Sequence, residues 1–135
     1  MSLERFVEAQ AGVYDRALAE LKAGRKQSHW MWFIFPQIAG LGHSAMAQMY
    51  AIPSLQEARD YLAHPVLGQR LHECCAAVMA VEGKSAHAIF GSPDDLKFRS
   101  SLTLYDLASP NDIFRAALDK YFDGEADALT LEKLR

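Results

Sequence analysis

Arg25-Lys26-Gln27-Ser28-His29-Trp30-Met31-Trp32-Phe33-Ile34-Phe35-Pro36-Gln37 is the stretch whose reading decides the fold. It holds both tryptophans of the chain and two of its seven phenylalanines. Two basic residues and a histidine precede the aromatic run, and a proline and a glutamine close it. Tryptophan, phenylalanine and isoleucine favour a strand, but a strand needs a partner, and no other segment alternates with period two. The apolar residues Trp30 to Phe35 therefore predict a buried helical turn or two, ended by Pro36. Large apolar surface beside a few polar groups suits a ligand pocket; it suits a core segment equally.

Upstream, Ser2 to Ala23 predict one helix, with Leu3, Phe6, Val7, Tyr14, Ala17, Leu18 and Leu21 on a single face. Ser2 is suited to cap it and Gly24 to stop it. Gln10 interrupts the apolar face, and a buried amide needs partners; it either braces a neighbouring loop or faces a cavity. Downstream, Ala45 to Tyr50 read as a short helix. Ser54 and Glu57 form a capping box for a helix ending near Ala63. His64-Pro65 starts the next helix, with Pro65 in its first turn, and that helix runs to Gly83. Ser85 to Phe90 gives a short helix closed by Gly91. Ser92-Pro93 and Ser109-Pro110 read as two similar helix starts, each with a serine cap and acidic charge in the first turn. The helix behind the first carries two apolar faces, which marks a central element with neighbours on both sides. Ser100 and Thr103 on it either line a cavity with Lys97 or bond back to their own helix. Thr130 to Arg135 add a last turn. The expected fold is one all-α domain over residues 1–135, of about six to eight short helices arranged as an orthogonal bundle or in helical-repeat-like fashion.

With those pieces placed, the chain resembles an uncharacterised family known as domain of unknown function 1810. The resemblance rests on Arg5-Phe6 with Ala9-Gln10, on Lys26 to Gln37, on Gly40-Leu41-Gly42-His43-Ser44, and on Tyr61 to Leu71. Ile89-Phe90-Gly91, Asp95-Leu96-Lys97 and Ser100 to Leu104 extend it over nearly the whole chain. It implies a helical-repeat-like all-α fold and no established activity. Members are sometimes labelled calpastatin, but calpastatin-type inhibitors are disordered polar chains, whereas half of these residues are apolar.

The 135 residues suffice for a real core. Fourteen basic against 17 acidic residues give a net charge of -3, which argues against coating a nucleic acid polymer or an anionic membrane. No apolar run approaches the ~20 residues that span a bilayer, and the charged, amphipathic N-terminus does not read as a signal peptide. A cytoplasmic location is the expectation. Cys74 and Cys75 are adjacent and read as free thiols, since neighbours rarely reach disulfide geometry.

The chemistry-bearing candidates gather around the opening stretch. Gly40 and Gly42 let backbone N–H groups approach an anion, and a helix beginning near Ser44 adds partial positive charge. Arg25 and Lys26 offer counter-charge, Trp30 and Trp32 a face on which a ring stacks, and Gln37 a polar rim. His29, with Lys26, is the candidate for acid–base work near neutral pH. His64 and Arg70 are further ligand-binding candidates, Arg70 through its bidentate fork. His29, His43, His64, His72 and His87 show no paired metal-ligand spacing, so neither a metal nor a cofactor is expected. Two functions remain open: binding, and transformation, of a small anionic nucleotide-like metabolite, or a non-enzymatic helical module receiving a protein partner in an apolar groove.

Overall fold

Gly12 divides the first predicted helix in two. In the computed structural model, which describes residues 2–135, α1 spans Glu4–Gln10 and α2 spans Tyr14–Lys22. Gly12 sits between them at φ +75°, a left-handed conformation that glycine adopts without the usual Cβ penalty. Leu3, not Ser2, occupies the N-cap of α1, and no side chain caps it. The aromatic run does form the expected helical turn, α3 (Met31–Ile34), with Trp30, Met31, Phe33, Ile34 and Phe35 all buried.

After Pro36 the chain extends, and Ile38 makes an isolated parallel bridge with Ile52. Ala39 N–H donates to the Ile52 carbonyl at 2.9 Å, and Ile52 N–H donates to the Gln37 carbonyl at 2.9 Å. These bonds close the base of an excursion, residues 40–51, that carries α4 (Ala45–Met49). α5 (Leu55–Ala63) begins at the expected box, with the Ser54 hydroxyl accepting from Glu57 N–H. α6 (Leu67–Met79) starts beyond Pro65 rather than at it. His64 spans the gap: its Nδ1 accepts from the N–H groups of Val66 and Leu67 at 3.1 and 3.2 Å.

The remaining helices are α7 (Ala86–Phe90), α8 (Asp94–Ala108), α9 (Ile113–Phe122) and α10 (Ala128–Lys133). Ten helices are thus described where six to eight were expected. The difference comes from the split at Gly12 and from short segments that each form a helix of their own. Both Ser-Pro pairs lie outside the helices they precede. Pro93 is the N-cap residue of α8 and offers no side-chain bond, while Asp112 caps α9 by accepting from Ile113 N–H. Among the described residues no sheet is present and no helix is long and apolar enough to cross a membrane.

α8 is the central element, in contact with α5, α7, α9 and α10. Its residues Ser100 to Tyr105 are buried without a break, as two apolar faces require. Ser100 and Thr103 donate back to the carbonyls of Leu96 and Arg99 at 3.1 and 2.9 Å, which satisfies their hydroxyls inside the helix. The aromatic stretch meets α8 directly. Phe35 stands edge-on to Phe98 and Phe90, with ring centroids 5.0 and 5.9 Å away, and Phe90 stacks on Phe98 at 4.5 Å. Each such pair adds roughly 0.5–1.5 kcal/mol beyond the area it buries. Gln10 braces α3 from the other side. Its Nε2 donates to the Phe33 carbonyl at 2.7 Å and to the Tyr61 hydroxyl at 3.2 Å, and its Oε1 accepts from Arg70 at 3.2 Å.

Candidate functional site

The excursion closed by the Ile38–Ile52 bridge encloses a hollow of about 260 Å³. Trp32, Gln37, Gly40, Gly42, Gln48 and Tyr50 contribute to its lining. Two glycines shape it for steric reasons. Gly40 has φ +96°, and a Cβ at Gly42 would lie 2.7 Å from the Ala47 Cβ, closer than any ordinary contact. Trp32 is half-buried. Its ring carries Lys97 Nζ at 5.3 Å from the centroid, a cation–π distance, and Asp94 Oδ1 steadies that ammonium at 3.6 Å. Lys133 of α10 runs against Gly40; its Cε and Nζ would lie 3.2 and 3.4 Å from a Cβ there. Among the described residues Lys133 makes no ion pair. Two ammonium groups therefore border residues that wall the hollow.

Ser44 caps α4 by accepting from Ala47 N–H at 3.1 Å, so its hydroxyl serves its own helix. Gln48 Nε2 donates to the His43 carbonyl at 2.9 Å. No histidine, cysteine or carboxylate lines the hollow, and Tyr50 is its one titratable lining side chain among the described residues.

The other predicted residues lie elsewhere. Lys26 pairs with Asp94 at 2.8 Å, both side chains largely buried, and also donates to the Ser28 carbonyl at 2.7 Å. Its Nζ lies 5.0 Å from the Trp30 ring. A charge so engaged ties residues 26–30 to the start of α8. Trp30 is fully buried, and its indole N–H donates to Glu20 at 2.9 Å. His29 is exposed and lines a separate hollow with Arg16 and Ser28. Arg25 is exposed and lines a third hollow with Arg16 and Lys84. Arg70 lies over Tyr14 at 4.6 Å and donates to Gln10. Lys26 and His29 thus do not converge on one pocket. Trp32, Gln37, Gly40 and Gly42 do.

Outside the predicted set, Glu20, His72, Cys74 and Cys75 are shifted from their ordinary values. Partial burial pushes the Glu20 carboxyl up. Hydrogen bonds from the Ser28 hydroxyl, the N–H groups of Gln27 and Ser28 and the Trp30 indole outweigh this and hold its pKa at about 2. Burial lowers the pKa of His72, but hydrogen bonds to Asp112 and to the Gly68 carbonyl reverse it, and the net pKa is raised. Burial pushes the thiols of Cys74 and Cys75 up to about 12, which leaves almost no thiolate for nucleophilic work. Among the described residues no group of three or more His, Cys, Asp or Glu side chains could hold a metal ion.

A family model described as "Protein of unknown function (DUF1810)" matches residues 1–134. Among solved structures, the chain is similar to the crystal structure of the conserved hypothetical protein Rv1873 from Mycobacterium tuberculosis. The two are 53% identical over 98% of this chain and 95% of that chain, with a TM-score of 0.96. No curated protein matches.

Proposed function

Since the chain belongs to the DUF1810 family, whose description assigns no activity, we propose from the geometry of the hollow that the protein binds a small anionic molecule with one flat ring. The observation that carries the reading is the joint placement of half-buried Trp32, the backbone of Gly40 and Gly42 in the wall, and the ammonium groups of Lys97 and Lys133 beside it. A π-face, close access to backbone and two cations suit a ring bearing an acidic group. Size narrows the class. About 260 Å³ falls below the roughly 300–1,000 Å³ of most ligand sites, which favours a single ring with one phosphate or carboxylate over a dinucleotide.

The role is binding rather than transformation in this reading, since no histidine, cysteine or carboxylate lines the hollow. A thermal-shift screen of nucleoside monophosphates and single-ring carboxylates tests it. A compound at ~100 times its dissociation constant stabilises the fold by about 2.7 kcal/mol. The Lys97→Ala/Lys133→Ala variant should lose most of the shift while melting normally alone. If no member shifts the wild type, or the variant responds equally, the reading is wrong.

A further inference from the structure

The molecule carries a second and larger hollow, of about 510 Å³, between α2 and residues 25–28. Its floor is the α2 stripe Arg16, Ala19, Glu20 and Ala23, at the i, i+3, i+4 and i+7 spacing that puts residues on one helix face. The two alanines leave the space, and charged groups frame it. Arg16 comes from α2, Arg25 from the segment after it, and Lys84 from the turn before α7. Lys84 is held in place. Its Nζ donates to the Gly24 carbonyl at 3.1 Å, and its stem runs where a Cβ on Gly24 would lie 3.5 Å away.

The chain as a whole is acidic, yet this hollow sets three cations against one carboxylate. That carboxylate is already spent. Glu20 Oε1 accepts from Gln27 N–H, Ser28 N–H and the Trp30 indole, and Oε2 accepts from the Ser28 hydroxyl at 2.6 Å. Among the described residues, neither Arg16 nor Arg25 forms an ion pair. Here the acid is turned to its own loop, and exposed Arg16 and Arg25 line the hollow without a carboxylate partner. The local excess of two positive charges matches a phosphoryl group, which carries about -1.5 to -2 at neutral pH, and guanidinium forks fit its oxygens bidentately.

We propose that the hollow walled by Arg16, Arg25 and Lys84 is a second anion site, for a phosphorylated small molecule, separate from the Trp32 hollow. The two hollows share no lining residue. The neighbouring hollow that holds His29 shares Arg16 and Ser28 with it, so a longer ligand extends past the phosphoryl group toward His29.

Calorimetric titration with inorganic pyrophosphate tests the site. Wild-type protein binds it saturably and more weakly as salt rises. The Arg16→Gln/Arg25→Gln variant, altered at two exposed positions, keeps its melting temperature and loses affinity by about tenfold or more, as expected from removing charge-assisted bonds worth over 1.4 kcal/mol. The Lys97→Ala/Lys133→Ala variant binds pyrophosphate as the wild type does. Absence of saturable binding to the wild type, equal binding by the arginine variant, or loss only in the lysine variant overturns the proposal.

Discussion

Replacing Gly68 by alanine sets two effects of opposite sign against each other, and the structure decides which wins. Gly68 lies in the first turn of α6, where alanine is favoured over glycine by up to about 1 kcal/mol on helix propensity. The added Cβ, however, would stand 2.0 Å from the Leu62 carbonyl oxygen, 2.8 Å from its carbon and 3.2 Å from its Cα. All three are backbone atoms of α5, so no rotamer change relieves the contact. Ordinary separation is reached only if α5 and α6 part by more than an ångström. They are packed through buried Tyr61, Leu67 and Leu71, so parting them opens the core behind the turn. Overpacking costs typically about 1–3 kcal/mol and more where the neighbour is rigid. The clash wins, and Gly68→Ala should lose roughly 2 kcal/mol or more net of the propensity gain. Urea denaturation followed by tryptophan fluorescence and circular dichroism measures it, with an unchanged m-value showing that only stability moved. A variant as stable as the wild type, or more so, would refute the close approach of α5 and α6.

Glu20→Ala should cost about 1–3 kcal/mol in the same assay, because it orphans the indole N–H of fully buried Trp30; a loss under about 0.5 kcal/mol would remove Glu20 as the organiser of residues 27–30. Since the folded pKa of Glu20 is depressed from 4.5 to about 2, its contribution is whole above pH 4.5 and fades as pH falls toward 2. The His72–Asp112 pair, 3.0 Å apart, ties α6 to the start of α9 with two opposite pH limits. The raised His72 pKa gives stability that is whole below 6.5 and is lost as pH rises through the folded value. The depressed Asp112 pKa, pushed up by burial but lowered further by hydrogen bonds from His72, Ile113 and Ser109, gives stability that is whole above 3.8 and lost below it. His72→Phe should therefore flatten the fall in stability as pH rises above 6.5, and parallel wild-type and variant curves would dismiss the pair.

Much of the helical architecture was legible because caps and periodicity are local. Ser54 caps its helix as read, although the Glu57 carboxylate turns to Arg5 rather than back to Ser54 N–H, and the two apolar faces behind Asp94 do mark the central helix. The single turn at Met31–Ile34 followed from a strand without a partner. Gly12 escaped because the apolar stripe resumes beyond it, so a broken helix and a continuous one share a pattern. The Ser-Pro starts misled because serine before proline looks like a cap whichever residue finally begins the helix, and Asp112 took that role for α9. Neighbouring Trp30 and Trp32 differ in fate, one sealed on Glu20 and one open beside Lys97. Only the packing of α3 distinguishes them.

The candidate site was half legible, for a related reason. Glycines and a tryptophan near one another in sequence could be read as one wall, and the structure places Trp32, Gln37, Gly40 and Gly42 together. The cations beside that wall come from far along the chain, and a lysine on a helix face reads as solvated. Lys97 thus went unread as a neighbour of Trp32, and Lys133 as a neighbour of Gly40. Lys26 looked free because Asp94, its partner, lies on α8. Arg16 and Lys84, far apart along the chain, line one hollow where Lys84 Nζ donates to the Gly24 carbonyl.

The two indole N–H signals in a ¹H–¹⁵N spectrum offer the most direct test of the central claim, that the Trp32 hollow is a ligand site. A Trp32→Phe variant assigns them. Titration with a nucleoside monophosphate should shift the Trp32 signal saturably and leave the Trp30 signal, sealed on Glu20, where it is. A titration that moves neither signal, or moves Trp30 while Trp32 stays fixed, would contradict the account.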